Sequence, residues 1–325
     1  MKYIKLFCRA SILIFYNLVL RFFLFSSKRK CKYKVSICAI FKNEAPFLRE
    51  WIEYHLMIGV EHFYLYNNNS EDNYEEVLEP YIKRGLVEVK LWEQNHAQMM
   101  AYKDFYEHKR NETNWVSFLD IDEFICLRKV FNTKNWKKNY NNRLSTNNIS
   151  VWLDSFKKYP AVLMYFKMFG TSGKQSHDYN KLVIEQYTVS WAGLYKIGKC
   201  FINTKYDIAN YNTQTHHCPA MWVRFWKFKI KVHPVNALKI FIDYDIHFQW
   251  LYKDSWISIQ VNHYWSKAWD IYVKQMNMTD VYFKESPKKD PNYFYYHEEH
   301  NITSEYTIFR YLTKLNNKIN NNLDI

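Results

Sequence analysis

Asn114-Trp-Val-Ser-Phe-Leu-Asp-Ile-Asp-Glu-Phe124 sets two aspartates and a glutamate directly behind a short apolar run. Trp115 to Leu119 has the length and residue types of a buried strand, which puts Asp120, Asp122 and Glu123 at its carboxyl end. If the strand continued, Asp120 and Asp122 would project to the same side, since side chains two apart share a face. Two carboxylates so placed can grip a divalent cation. Hard oxygen donors suit Mg²⁺ or Mn²⁺, which leave coordination positions for substrate phosphates. The competing reading is an acidic turn, a common structure at such places.

The elements that must position these carboxylates follow from periodicity. Tyr33 to Ile40 reads as a strand and Phe41 to Pro46 as a turn. Pro46 suits a first helical turn, and apolar residues at helical spacing run from Phe47 to Met57, where Gly59 stops them. His62–Tyr66 and Leu86–Trp92 are further strands. Tyr74–Lys83, bent or shortened by Pro80, and Gln94–His108 are the helices around them. Alternating strand and helix predicts an α/β fold with a mostly parallel central sheet. In such sheets ligands bind outside the carboxyl ends of the strands. Three polar clusters occupy such ends: Lys42-Asn43-Glu44, Asn67 to Asn73, and Asp120 to Glu123. There is neither a G-x-G-x-x-G nor a P-loop sequence, so any nucleotide is held by another architecture.

Beyond Phe124, Lys129–Asn148 reads as a surface insertion rich in Lys and Asn. Ile149–Lys158 reads as a short helix, Ala161–Phe169 and Lys199–Asn203 as strands, and Lys181–Val189 as mixed strand. Thr215–Pro219 and Val261–Trp265 each set a histidine, His217 and His263, beside a strand end. Ser266 is placed to cap a helix through Trp269 and Val273, and Asn316–Ile325 reads as a frayed polar tail.

The formal net charge of +13 fits nucleic acid, an anionic membrane surface or phosphate-bearing substrates. No zinc finger, RNP signature or basic-aromatic repeat is present, which argues against nucleic acid. The 6 cysteines are scattered without a C-x-x-C, as expected of free thiols in a reducing compartment. Residues 1–32 form a basic, apolar, aromatic-rich segment whose uninterrupted core falls short of the ~20 residues of a spanning helix. It fits a helix lying on the bilayer, with a single-pass anchor as the alternative. The heavier basic cluster after it would keep the main domain cytoplasmic. The expected organisation is therefore 1–32 membrane-associating segment, 33–280 main domain and 281–325 C-terminal extension.

Ile37-Cys-Ala-Ile-Phe-Lys-Asn-Glu44, Leu48-Arg-Glu-Trp-Ile-Glu-Tyr-His55 and Gly59 to Ser70 closely resemble the glycosyltransferase family 92-like proteins and their bacterial relatives among the family 2-like glycosyltransferases. Further matches follow in order: Val77–Tyr81, Gly85–Val87, Gln98–Tyr102, Trp115–Phe124, Phe169–Gly173, Leu182–Glu185 and Asn262–Lys267. The resemblance covers roughly residues 35–275. It implies a GT-A (Rossmann-like) nucleotide-sugar-binding domain, a nucleotide-sugar donor, a glycan or lipid-linked glycan acceptor and Mn²⁺ or Mg²⁺. The D-x-D is then Asp120-Ile-Asp122. His263, with His217 second, is the candidate for the histidine that GT-A enzymes add to the metal shell. Lys42, Asn43, Glu44, Asn67, Asn68, Gln98, Tyr102 and Asp120 are the candidate donor contacts. Asn67 and Asn68 stand where relatives often carry aspartate. The resemblance favours inversion at the anomeric carbon. Glu185 and Asp178 are candidate bases, and Glu123 a catalytic carboxylate or one that orients the metal shell. Trp191 and Trp265, with Trp222 and Trp226, offer aromatic faces to an acceptor sugar, against the alternative of core packing.

The expected activity is thus metal-dependent transfer from a nucleoside diphosphate sugar, a UDP-sugar first. The alternatives are a nucleotidyltransferase or phosphotransferase built on the same carboxylates, and a non-catalytic carbohydrate-binding relative.

Overall fold

In the first strand, β1 (Tyr33–Phe41), Val35, Ile37, Ala39 and Phe41 face one apolar cluster, and Cys38 and Ile40 face another. Burial on both faces is why this strand reads as a continuous apolar run, as strands inside parallel sheets do. The computed structural model describes residues 29–128, 148–206, 208–210, 217, 221–225, 227–242, 253–278 and 280–321, together with Ser11, Ile14, Phe15 and Leu18. The rest of the expected membrane-associating segment, the insertion at 129–147, Cys8, Cys218 and the side chains of Trp222 and Trp226 lie outside the described residues. No helix among the described residues is long and apolar enough to cross a membrane.

After β1 come α1 (Ala45–Met57), β2 (His62–Asn67), α2 (Tyr74–Lys83), β3 (Val87–Leu91), α3 (Gln98–His108), β4 (Thr113–Phe118) and β5 (Glu123–Leu127). The chain continues through α4 (Ile149–Leu153), β6 (Ala161–Met168), α5 (Val183–Gln186), β7 (Val189–Trp191), β8 (Tyr195–Asn203), β9 (Ile208–Asn210), β10 (Met221–Phe225) and β11 (Phe228–Val232). It closes with β12 (Ile259–His263), α6 (Trp269–Asn277), α7 (Pro291–Glu299), β13 (Asn301–Ser304) and α8 (Leu312–Asn321).

The central sheet has eight strands in the order β3-β2-β1-β4-β8-β6-β12-β5. β8 and β5 run against the other strands, so the fold is mixed α/β with a mostly parallel sheet. The acidic turn joins β4, in mid-sheet, to β5, at the far edge. β5 begins at Glu123, directly after Asp120-Ile-Asp122, and Glu123 N donates to Asp120 O at 3.1 Å to close the turn.

As an edge strand, β5 leaves one row of backbone groups without a strand partner, and three side chains of α1 satisfy them. Trp51 Nε1 donates to Glu123 O at 2.9 Å and Tyr54 OH to Ile125 O at 2.8 Å, while His55 Nε2 accepts from Ile125 N at 3.3 Å. His55 Nδ1 lies 2.8 Å from Trp51 O, so Nδ1 carries the proton and Nε2 is the acceptor. Burial pushes the His55 imidazole down to about 3. Between that value and the ordinary histidine range near 6.5, the unfolded chain binds a proton that the folded one does not. Stability is therefore expected to fall as pH drops below about 6.5, by up to ~1.4 kcal/mol per pH unit from this residue. Urea midpoints at pH 5, 6 and 7 check this: His55→Asn should flatten the slope, and an identical slope in both proteins would refute the assignment.

Some local expectations change. Pro80 does not shorten α2, which runs on to Lys83 with Leu78 and Tyr81 buried beneath it. α3 starts at Gln98 rather than Gln94, because His96 takes φ +51, incompatible with a helix. Lys181–Val189 is not mixed strand: α5 forms there, with the buried Glu50 carboxylate accepting from Val183 N and Ile184 N at 2.7 and 3.1 Å. Ser266 does not cap α6, since its hydroxyl bonds Lys267 O instead. The tail is helical through Asn321, anchored by the fully buried Leu315 in the main core. Phe294, Ile308 and Tyr311 of the expected C-terminal extension share that core, and β13 pairs with β7. Cys31, Cys38 and Cys126 are free thiols.

Candidate active site

The carboxyl ends of β1, β2 and β4 lie side by side, with Phe41 opposite Asn67 and Cys38 opposite Phe118. Strand geometry stops at Phe118, so Asp120 and Asp122 sit in a turn and do not project to one side as a continuing strand would require. Asp120 turns toward α3 and β8. Its Oδ1 accepts from Gln98 Nε2 at 2.9 Å and Tyr102 OH at 3.4 Å, and its Oδ2 lies 2.9 Å from Lys199 Nζ. Asp122 turns the other way, toward His263, with Oδ2 and Nε2 3.6 Å apart.

Sheet register explains the second contact. Glu123, the first residue of β5, stands opposite His263, the last of β12, and Asp122 O accepts from Tyr264 N at 2.9 Å. Ligating atoms of Asp122, Glu123 and His263 consequently lie within 4.8 Å of one another. Among the described residues, Asp122 Oδ1, Glu123 Oε1 and His263 Nδ1 are buried without a hydrogen-bond partner. Buried polar atoms left unpaired cost free energy, and a ligated cation is one thing that would satisfy them. Two carboxylates and an imidazole fit a divalent cation. The imidazole moves the preference from Mg²⁺ toward a transition ion such as Mn²⁺.

Charge around the turn is balanced by lysines that the sequence reading passed over. Burial alone would lower the Lys199 ammonium, but Asp120 and Glu123 outweigh it and keep the proton on. Burial drives the Glu123 carboxyl well above the ordinary range, against Lys199. Burial also acts to raise Asp122, but His263, Lys267 and Lys288 together hold it below the usual carboxylate range. Lys267 is fully buried in a left-handed backbone conformation, φ +52, with Nζ 4.4 Å from the centre of the Phe47 ring and no hydrogen-bond acceptor. Lys288 donates to Gln275 Oε1 at 2.6 Å from the short turn Pro287–Lys289. Glu44 has one buried, unpaired oxygen, and burial, opposed by Lys267, pushes its carboxyl up to about 7.

The other candidates divide. Asn43, Asn67 and Asn68 use their side chains to knit the loop ends. Asn43 Oδ1 accepts from Glu71 N at 2.7 Å, Asn67 Oδ1 from Ser70 N at 2.9 Å, and Asn68 Nδ2 donates to Trp92 O and Gln94 O at 2.7 and 2.9 Å. Gln98 and the fully buried Tyr102 orient Asp120. Lys42 is half-buried just past β1. His217 stays out of the triad: its Nδ1 donates to Gly198 O at 3.1 Å, and burial, helped by Lys199, pushes it down to about 4. Glu185 and Asp178 also stand apart from the triad. Asp178 Oδ1 instead accepts from Asn180 N at 3.0 Å and closes its own turn. Trp265 is 3% exposed and packs against Tyr272, Tyr293, Phe294 and His297, so it is core rather than acceptor platform. Trp191 is half-buried, its ring tilted against that of His300 with centres 4.8 Å apart, beside the exposed Tyr296. Lys199 could have been noticed as a lone charge inside the apolar run Ile197–Ile202. Lys267 closes the matched segment Asn262–Lys267, whereas Lys288 carries no such sign.

Comparison with known proteins identifies the family. A glycosyltransferase family 92 protein of Ricinus communis is 34% identical over 119 residues, 36% of this chain and 21% of that protein. The galactan beta-1,4-galactosyltransferase GALS2 of Arabidopsis thaliana is 34% identical over 113 residues, 31% of this chain and 22% of its own. The chain thus spans about a fifth of the length of these curated relatives. Among solved structures, S. aureus TarS matches over 53% of this chain and 47% of its own, at 16% identity and a TM-score of 0.32. The model of glycosyltransferase family 92 matches residues 32–288, most of the sequence, and the chain belongs to that family.

Proposed function

We propose that this chain moves a sugar from a nucleoside diphosphate sugar to a hydroxyl of a glycan or lipid-linked glycan, with inversion, on a GT-A type domain. The observation that carries the reading is the meeting of Asp122, Glu123 and His263, with unpaired buried atoms, at the carboxyl edge of the sheet. These three residues would hold Mn²⁺ or Mg²⁺, and a bound ion would act as a Lewis acid on the departing diphosphate. Lys267 and Lys288 add positive potential beside Asp122 and Glu44, where the diphosphate's charge would collect. Asp120, fixed by Gln98 and Tyr102, presents a preset acceptor to the nucleoside side of the donor. Trp191 and Tyr296 offer a partly open aromatic surface for the acceptor.

Glu44 is the carboxyl proposed to take the acceptor's proton. A group titrating near 7 is both ionised and basic at neutral pH. The pH profile of kcat/KM should then rise through a limb near 7, and Glu44→Gln should lower the rate ~10²-fold or more and abolish that limb. Survival of the limb in the variant would reassign the base.

Relatives named as galactan galactosyltransferases make UDP-galactose the first donor to try. The basic N-terminal segment favours work at the cytoplasmic face of a membrane. The test is a panel of UDP- and GDP-sugars incubated with Mn²⁺. Release of nucleoside diphosphate from one donor, stimulated by Mn²⁺, is expected. Pyrophosphate as product would indicate a nucleotidyltransferase, and tight sugar binding without turnover a carbohydrate-binding protein.

A further inference from the structure

Lys199 brings a fixed positive charge into the place where a divalent cation would be held. It is fully buried in mid-strand, with Nζ 2.9 Å from Asp120 Oδ2 and 3.3 Å from Glu123 Oε2. Glu123 Oε2 also accepts from Asp120 N at 3.0 Å, so that oxygen and the Asp120 carboxylate are both already engaged. On the other side, Asp122 Oδ1 and Glu123 Oε1 have no hydrogen-bond partner among the described residues, and His263 turns Nε2 toward Asp122 at 3.6 Å. The acidic cluster is therefore split: one half is neutralised from within the protein and the other is left open. A buried lysine costs desolvation, which its two carboxylates offset. The same charge repels any cation approaching the open half.

We propose that Lys199 is a positioning residue that reserves Asp120 and one oxygen of Glu123 away from the cation and keeps the site's affinity for free divalent cation low, so that the cation is held firmly only together with the donor's diphosphate. This rests on the metal-dependent reading above. Diphosphate oxygens would supply the missing negative charge and the remaining ligands, as they do where Mg²⁺ or Mn²⁺ is shared between one or two carboxylates and a substrate. Removing the lysine frees Asp120 Oδ2, takes one of two contacts from Glu123 Oε2 and removes a positive charge, so free cation should bind more tightly and depend less on nucleotide.

The experiment titrates the full chain with Mn²⁺ by electron paramagnetic resonance, with and without UDP, in wild type, Lys199→Gln and Lys199→Arg. Wild type should bind Mn²⁺ weakly alone and more tightly with UDP. Lys199→Gln should bind Mn²⁺ alone ~10-fold more tightly or better, a shift of the size that one removed charge produces at this range. Lys199→Arg should match wild type. Should Lys199→Gln be poorly folded without metal, added Mn²⁺ should raise its unfolding temperature by more than it raises that of wild type. Unchanged Mn²⁺ affinity in Lys199→Gln, or an arginine variant that behaves like the glutamine one, overturns the proposal while leaving the metal site standing. Absence of Mn²⁺ binding by wild type, with or without UDP, overturns the metal-dependent reading and this inference with it.

Discussion

Replacing Asp122 with asparagine should lower sugar transfer at saturating Mn²⁺ by ~10³-fold or more, with the folded structure retained. The change keeps the volume and removes the negative charge of one of three groups whose potential ligand atoms lie within 4.8 Å of one another. Lewis-acid stabilisation of a leaving group is worth several kcal/mol, and each ~1.4 kcal/mol is a factor of ten in rate. Asp122 is the residue that bonds toward His263, so it should outweigh Asp120, whose carboxylate is committed to Gln98, Tyr102 and Lys199. Asp120→Asn should therefore show the smaller loss in kcat. Steady-state release of nucleoside diphosphate measures both variants. An Asp122→Asn enzyme within tenfold of wild type would remove Asp122 from the metal shell.

Gly198→Ala should be the most damaging single methyl in the central sheet. Gly198 lies opposite Tyr165 where β8 and β6 pair, at a point where their register shifts. A Cβ there would overlap Met164 O and come within 2.7 Å of Met164 C and 2.8 Å of Tyr165 Cα. All three are backbone atoms of a buried strand and cannot swing aside as a side chain would. A loss of ~4 kcal/mol or more is expected, at the upper end of what overpacking causes. The variant should also disturb the site, because Lys199 is the next residue and His217 hydrogen-bonds to Gly198 O. Gly173→Ala is the control: its Cβ would meet nothing within 4 Å, and at φ +75 it should cost only ~1 kcal/mol. Denaturant unfolding of the two variants provides the comparison. Equal stabilities would show that the two strands can move apart to admit the methyl.

The strands and helices of the first half were legible because their apolar spacing is regular. β1, α1, β2, α2 and β4 lie within a residue or two of their expected positions. Misreadings came where a local pattern had two solutions and a distant group chose between them. Val183–Gln186 has the residue types of a strand, but the Glu50 carboxylate, over a hundred residues earlier, supplies acceptors for its first helical N–H groups. The tail after Asn316 looks polar and loose, yet Leu315 enters the core and Ile319 packs against it. The asparagines at the strand ends, named as donor contacts from the family resemblance, also have structural work that residue order does not show. Asn67 bonds within its own loop, whereas Asn43 and Asn68 bond backbone groups of the loops that follow the neighbouring strands.

By itself the sequence determined the alternation of strand and helix, the acidic turn after β4, the histidine at the end of β12 and the family. Those are properties of residue order: periodicity, and the ordered recurrence of short segments. Tertiary structure alone decided which carboxylate meets which partner. β5 leaves the acidic turn for the far edge of the sheet and pairs with β12, which carries Glu123 to His263 and draws Asp122 after it. β8, running the other way between β4 and β6, delivers Lys199 to Asp120. Spacing along the chain cannot reveal either contact, because strand order in a sheet is set by which faces and edges can be buried together rather than by which strands are adjacent in sequence.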